Sequence, residues 1–308
     1  QSIMVQTAGH FVVPAIPFME YVRTFETVTI DITVTSDNTM KVNEDGSEFE
    51  IGTQDIDECP DFPEVPTSDN WIPVALDPFG VALKKVAFAV AEKGHPRWGA
   101  LSAICIECSG DKIALIGTDQ HRASVFELQT TTGLTGKQFL VSGKALSIVP
   151  KVFIEDFEIY AEDRNSLIFR SKSSFLFFRL LHGNYPQVRR IIPNHKSKLS
   201  LDPSLLLKQA KKIALAVDEY DSMRIVLKDN KLILMSKTRQ QRRVAKVEQD
   251  IVYSGPDMQF ALNCKYLIDL LKVADTEQNI EFWFNQNNQP IVFKQNSFDH
   301  VMVPLEVR

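Results

Sequence analysis

The sequence predicts an α+β chain built from a repeating unit of about 125 residues. Three observations lead there. Leu76-Asp77-Pro78 and Leu201-Asp202-Pro203 each open an amphipathic helical pattern. A short apolar strand running into a helix recurs at Phe11–Val22, Phe139–Val149 and Phe260–Leu271, offsets that bracket the same period. Each helix is then followed by residues that alternate between apolar and polar, the mark of a half-buried sheet.

Taken in order, the first unit offers Phe11-Val12-Val13 into a helix over 16–24, then the strand Val28–Val34 and a turn at Ser36-Asp37-Asn38. The second offers a helix over 79–91, with Asp77 as N-cap and Pro78 at its first position, a physically sensible helix start. The strand Phe139–Val141, a helix over 143–151 and the strand Phe157–Tyr160 follow. The third repeats this with Asp202 and Pro203 before a helix over 204–217, a helix over 265–272 and the strand Ile280–Phe284. Two units close alike, with Pro60-Asp61-Phe62-Pro63 and Gly183-Asn184-Tyr185-Pro186. The two helix patterns alternate about 60 residues apart, so each unit divides into two half-units. Five half-units are present. A sixth is expected to precede residue 1, leaving domain 1 (1–70) incomplete beside domains 2 (71–195) and 3 (196–308).

The formal net charge is −5, which argues against a uniformly basic nucleic-acid binder. The positive charge is nevertheless segregated. The five helical windows hold Arg23, Lys84, Lys85, Lys144, Lys151, Lys208, Lys211, Lys212, Lys265 and Lys272, against only Glu20 and Asp269. Any one of these lysines is most simply a solvated position on an amphipathic helix. The bias across five helices points instead to a surface that holds a polyanion through phosphate contacts without reading bases.

Other chemistry is poorly supported. No phosphate-binding glycine loop, dinucleotide fingerprint or zinc-protease helix occurs. Cys105-x-x-Cys108 is a single pair on an apolar strand, where the two thiols point to opposite faces, so no metal site is expected. Asp119 and His121 share a strand face but lack a partnered nucleophile, and a structural role beside a turn is the better reading. No catalytic residue, cofactor or metal is assigned. No run approaches a membrane span and no secretory leader is visible, so a cytoplasmic location is expected.

Four segments resemble one family. Gly117-Thr118-Asp119-Gln120-His121-Arg122-Ala123 resembles the T-D-G-H-R-L segment of the bacterial DNA polymerase III beta sliding clamp. Asn184–Pro193 is similar to its G-x-[FY]-P-x-Y-R-x-[VI]-[IL]-P segment, Asn263–Leu267 to N-x-x-Y-[LV], and Val301–Leu305 to V-M-P-[ML]. Gln120 stands in place of the usual glycine, Ala123 of leucine and Glu306 of arginine.

The resemblance implies repeated clamp domains, with antiparallel sheets outside and basic helices inside a ring closed by a head-to-tail homodimer. The ring would encircle double-stranded DNA and tether DNA polymerase III subunits, the clamp loader and other clamp-binding-motif proteins, without chemistry of its own. It further implies a partner-peptide groove lined by Leu101, Thr118, His121, Arg122, Pro186, Arg190, Ile191, Tyr220, Asn263, Tyr266, Pro290, Val301, Met302, Val303, Pro304 and Leu305. The DNA-facing set would be Arg23, Lys84, Lys85, Arg97, Trp98, Lys144, Lys208, Lys211, Lys212, Lys265 and Lys272. A repeat-built protein-interaction scaffold without DNA binding is the alternative, which the helix charge disfavours.

Overall fold

The computed structural model describes residues 4–26, 29–54, 63–67, 69–92, 98–161, 165–192, 197–238, 243–285 and 288–306, apart from the side chains of Trp98, Lys237 and Thr238. Arg97, the Trp98 side chain, Val28, Pro60, Asp61, Phe62 and Pro193 therefore lie outside the described residues. The chain forms two compact units, Gln1–Val65 and Pro66–Arg308.

In the first unit, α1 (Ala15–Val22) precedes the antiparallel strands β1 (Asp31–Val34), β2 (Thr39–Glu44) and β3 (Ser47–Gly52). Met40 and Val42, two apart on the central strand, are buried on one face. Tyr21 of α1 stacks on Phe49 of β3 at 4.0 Å, fixing the helix to the sheet. No residue of α1 is fully buried.

The second unit repeats one sentence of structure four times: strand, helix, three strands. The first is β4 (Ile72–Val74), α2 (Leu76–Ala87), the turn α3 (Trp98–Leu101), β5 (Ala103–Ser109), β6 (Lys112–Thr118) and β7 (Arg122–Gln129). The second is β8 (Thr135–Ser142), the helical turns α4 (Gly143–Leu146) and α5 (Val149–Val152), β9 (Phe157–Tyr160), β10 (Ser166–Arg170) and β11 (Phe175–Arg179). The third is β12 (Ser197–Leu201), α6 (Pro203–Ile213), β13 (Ser222–Lys228), β14 (Lys231–Thr238) and β15 (Arg243–Asp250). The fourth is β16 (Met258–Asn263), α7 (Cys264–Val273), β17 (Ile280–Phe284), β18 (Ile291–Gln295) and β19 (Phe298–Met302).

These half-units exchange their leading strands. β4 joins the sheet β11-β10-β9-β4, whereas β8 joins β5; likewise β16 joins β13, and β12 joins β17. No half-unit therefore completes its own sheet. The edges β7 and β19 then pair antiparallel, from Arg122 opposite Met302 to Phe126 opposite Phe298, giving the eight-stranded sheet β12-β17-β18-β19-β7-β6-β5-β8. Every pairing between the named strands is antiparallel. The α+β expectation holds.

The helices bury one stripe each, at the spacing an amphipathic helix requires. In α2 it is Phe79, Ala82, Leu83 and Val86; in α6, Leu206, Ala210 and Ile213; in α7, Cys264, Leu267, Leu270 and Leu271. A row of helices results, with α2 against α5 and α7, and α7 against α6.

Two local expectations need correction. The helix expected over 143–151 breaks into α4 and α5, because Pro150 lacks the N–H that a continuous helix would direct to Leu146 and its ring would crowd that carbonyl. Asp77 does not cap α2. The helix begins at Leu76 with Ala75 before it, and the Leu76 N–H donates to the Asp156 carboxylate at 2.9 Å. Asp202 does cap α6, accepting from the N–H groups of Ser204 and Leu205 at 2.7 and 3.1 Å.

Candidate functional site

The turn between β6 and β7 is built by its own side chains. The Asp119 carboxylate accepts from the N–H groups of His121 and Arg122, both at 3.0 Å, and from Arg122 Nε at 3.0 Å. Thr118 Oγ1 donates to the Arg122 carbonyl at 2.7 Å and accepts from Gln120 N–H at 3.2 Å. Gln120 adopts φ 79°, the left-handed region that glycine occupies most cheaply. Asp119 is thus committed to holding a turn, and the acid/base reading of Asp119 with His121 has no free carboxylate to work with.

Beside this turn lies a concave pocket of about 540 Å³. Its floor follows from strand register: Thr118 of β6 is opposite Ala123 of β7, which is opposite Val301 of β19. One wall is the turn α3, through Gly99, Ala100 and Leu101. The other is the 184–191 segment, through Asn184, Pro186, Gln187, Val188 and Ile191. Tyr185 fastens that segment, its hydroxyl donating to the Ile116 carbonyl at 2.9 Å. Burial pushes the Tyr185 phenol far above its ordinary range, so it remains a donor. Val188 fills a small core with Cys105, Ile116, Ala123 and Val125. His121 and Val303 stand at the rim, tied by the Val303 N–H donating to the His121 carbonyl at 2.9 Å.

Arg122 joins this pocket to the last helix. It is 7% exposed, its Nη1 lies 3.1 Å from Asp269 of α7, and its guanidinium lies 4.1 Å from the centre of the Tyr266 ring. Behind Tyr266, Asn263 caps α7 by accepting from the Tyr266 N–H at 3.1 Å, and its amide donates to the Tyr220 carbonyl at 3.3 Å. The Leu305 N–H donates to the Ala261 carbonyl at 2.8 Å. Beneath Arg122, His300 is fully buried with Nδ1 2.7 Å from Ser124 Oγ; burial first, and then the Arg122 charge, hold its pKa well below the ordinary range.

Of the expected groove residues, Leu101, Thr118, His121, Arg122, Pro186, Ile191, Val301 and Val303 line the pocket. Tyr220, Asn263, Tyr266 and Leu305 gather in a second patch beside α7. Arg190 is exposed on the 184–191 wall, Pro304 precedes Leu305, and Pro290 directly precedes Ile291, the strand partner of Met302. Met302 is a correction. Strand alternation turns its side chain away from Val301 and Val303 into the core with Phe293 and Phe298, where it is 1% exposed. Gly99, Ala100, Gln120, Ala123, Asn184, Gln187 and Val188 line the pocket without having been assigned to it. Gln120 and Ala123 stand out as departures from the clamp segment; Gly99 and Ala100 carry no sequence signal.

Among the expected DNA-facing residues, Arg23, Lys84, Lys144, Lys208, Lys211, Lys212, Lys265 and Lys272 are exposed. Lys265 pairs with Asp221 at 2.9 Å and Lys272 with Asp269 at 3.2 Å. Lys85 is a correction. It is 9% exposed, with its ammonium 5.1 Å from the Phe298 ring centre and 6.0 Å from that of Phe126. It flanks the buried stripe of α2 and packs over the β7–β19 seam. Cys105 and Cys108 face different cores, and burial raises their thiols to about 12 and about 11. No cluster of metal-binding side chains occurs among the described residues, and no described helix is long and apolar enough to cross a membrane.

The same architecture is known elsewhere. A DNA polymerase sliding clamp from Pseudomonas aeruginosa superposes with a TM-score of 0.89 at 20% identity, over 99% of this chain and 85% of that one. The DNA polymerase III beta chain of Streptococcus pneumoniae gives 0.87 at 21%, over 99% and 82%. In sequence, the beta sliding clamps of Staphylococcus epidermidis and Staphylococcus aureus are 25% and 24% identical, over 98% and 97% of this chain and 80% of each relative. The family models for the central and C-terminal domains of the DNA polymerase III beta subunit match residues 74–187 and 189–306, taking in the pocket, the patch beside α7 and the half-units of the second unit from the end of β4 onward. By this concordance of sequence, fold and domain order, the chain belongs to the DNA polymerase III beta subunit family, the bacterial beta sliding clamps.

Proposed function

We infer that this chain works as a DNA sliding clamp, a processivity factor that holds replication proteins on duplex DNA and catalyses nothing itself. The observation that carries this is the contiguous row of helices α5, α2, α7 and α6, which buries its apolar stripes and leaves lysines exposed in a chain of net charge −5. Such segregated charge holds a phosphate backbone loosely and without sequence preference, as sliding demands.

The finer reading follows the family. Residues 71–195 and 196–308 serve as clamp domains of two half-units each, and residues 1–70 contribute to a further one. Two subunits close head to tail around double-stranded DNA in the bacterial cytoplasm. The pocket and the patch beside α7 receive short linear segments of DNA polymerase III subunits, the clamp loader and other proteins carrying a clamp-binding motif. Mostly apolar walls with a few polar groups suit that task.

The test is charge reversal at Lys84, Lys144, Lys208 and Lys211, chosen because Lys265 and Lys272 already face carboxylates. Fluorescence anisotropy with duplex DNA should show weaker binding at low salt, and a slope of log K against log salt shallower by roughly 0.9 for each phosphate no longer neutralised. Unchanged affinity and slope with an unaltered unfolding transition would reduce these lysines to solvated surface.

A further inference from the structure

We propose that Arg189 is a positioning residue, which holds one wall of the pocket in place from outside the pocket. Its consequence for peptide binding rests on the pocket being the peptide site; the fastening itself does not.

The 184–191 wall ends in a single 3-10 turn, Val188–Ile191. Residues three apart eclipse in such a turn, so Val188 and Ile191 share one side, and both line the pocket. Arg189 projects from another side of the turn and does not line it. Up to Val188 the wall is anchored in the interior, by the Tyr185 hydroxyl and by Val188 itself beside Cys105 and Val125. Beyond Val188 the anchors change in kind. Arg190 and Ile191 are exposed. Among the described residues, the hydrogen bonds and ion pairs that tie 189–192 to the sheet are those of the Arg189 side chain alone.

The sheet has a seat for this guanidinium. Gln138, Glu107, Ala114 and Glu127 stand opposite one another across β8, β5, β6 and β7. Neighbouring strands lie about 4.8 Å apart, so the two glutamates flank Ala114 from positions roughly 10 Å apart. Ala114 is fully buried and offers only a methyl group between them. A planar guanidinium spans that gap because its donors fork to both sides. Arg189 Nη2 lies 2.9 Å from Glu127, and its Nε lies 3.3 Å from Glu107. Lys112 holds the other oxygen of Glu127 at 2.9 Å, and the Gln138 amide donates to that of Glu107 at 3.2 Å. A single exposed ion pair contributes little, but here both carboxylates are already held by a second partner. Cys105 precedes Glu107 on the same face of β5, as Ala123 and Val125 precede Glu127 on β7. The ionic seat therefore closes the far end of the small core whose near end is the pocket floor.

Hydrogen exchange read by mass spectrometry on the whole, peptide-free chain tests the fastening. Arg189→Gln should speed exchange over residues 185–192 by about threefold, the scale of one or two partly exposed ion pairs, and leave β17 and β18 unchanged. Glu107→Gln combined with Glu127→Gln should reproduce this. Arg189→Lys keeps the charge but loses the fork, and should fall between. Molar salt should bring the unaltered chain to the variant's rate in this segment and leave the variant as it was. Calorimetric titration with the uncharged peptide acetyl-Gln-Leu-Ser-Leu-Phe-amide should show a matching loss of affinity in Arg189→Gln, about threefold, because fewer molecules hold the wall in place. Unchanged exchange over 185–192, or equal acceleration throughout the chain, would overturn the proposal. Equal peptide affinity despite a loosened wall would also overturn it. If the wall loosens as expected and neither protein binds the peptide, the fastening stands and the reading of the pocket as the peptide site falls.

Discussion

Lys85→Met separates the basic helix face from the charge buried behind it. Three terms set its effect. Burial holds the Lys85 amine below the ordinary lysine range, with Asp275 acting in the opposite direction, so the folded chain carries an uncomfortable cation at neutral pH. Desolvating a fully buried ion costs several kcal/mol, and Lys85, which keeps slight exposure, bears only part of that. Against this, the Phe298 and Phe126 rings return about 1 kcal/mol through cation–π attraction. Methionine preserves the length of the side chain and gains comparable sulfur–ring contacts. The balance is a stabilisation of about 1 kcal/mol at pH 7, read as a higher urea midpoint with unchanged slope. Because the folded pKa lies below the unfolded one, the penalty in the unaltered chain fades as pH climbs through the folded value towards about 10.4. The difference between the two proteins should therefore narrow at pH 10. DNA binding should be unaffected by Lys85→Met and weakened by Lys84→Met. A destabilisation above about 1 kcal/mol, or equal loss of DNA binding from both substitutions, would refute the assignment of Lys85 to the seam.

Two further outcomes follow from the geometry around that seam. Met302→Ala should cost about 2–5 kcal/mol in chemical unfolding because it empties a packed core, whereas Val303→Asp at the exposed rim should abolish peptide binding in calorimetry and leave the unfolding midpoint nearly unchanged. His300 is held neutral, so as pH falls below about 6.5 the unfolded chain gains a proton that the folded chain refuses. Stability should then drop by up to about 1.4 kcal/mol per pH unit, and His300→Gln should remove that part of the acid sensitivity in urea titrations at pH 5 and 7.

The repeat was legible because it is written in local patterns: helix stripes at 3.6-residue spacing, strand alternation, and turn residues between them. The limits of local reading show in Leu76-Asp77-Pro78 and Leu201-Asp202-Pro203, the same tripeptide with two outcomes. Asp202 caps its own helix from two residues away. At α2 the first N–H is taken instead by Asp156, which lies beyond β5–β8 and the two helical turns in the chain. A partner 80 residues distant leaves no trace in the tripeptide. Lys84 and Lys85 pose the same problem. Adjacent lysines on one helix look alike in sequence, but the β7–β19 seam passes under only one of them.

The pocket shows which part of a site motif can convey and which part belongs to the fold. The family motif brings its residues as a set, Met302 together with Val301 and Val303. Strand alternation already argued otherwise, since residues one apart on β19 point to opposite faces and only Val301 and Val303 can share the pocket side. That much is legible in the sequence, and the floor is not. Thr118, Ala123 and Val301 become one row only because β7 and β19, the free edges of separate half-unit sheets, pair in a single register. A slip of one residue would set Met302 opposite Ala123, turn Val301 into the core and replace the compact apolar floor with a long flexible side chain. The pocket is thus a product of the joint between two sheets, and its floor depends on the same register that buries Lys85, His300 and Phe298 behind it.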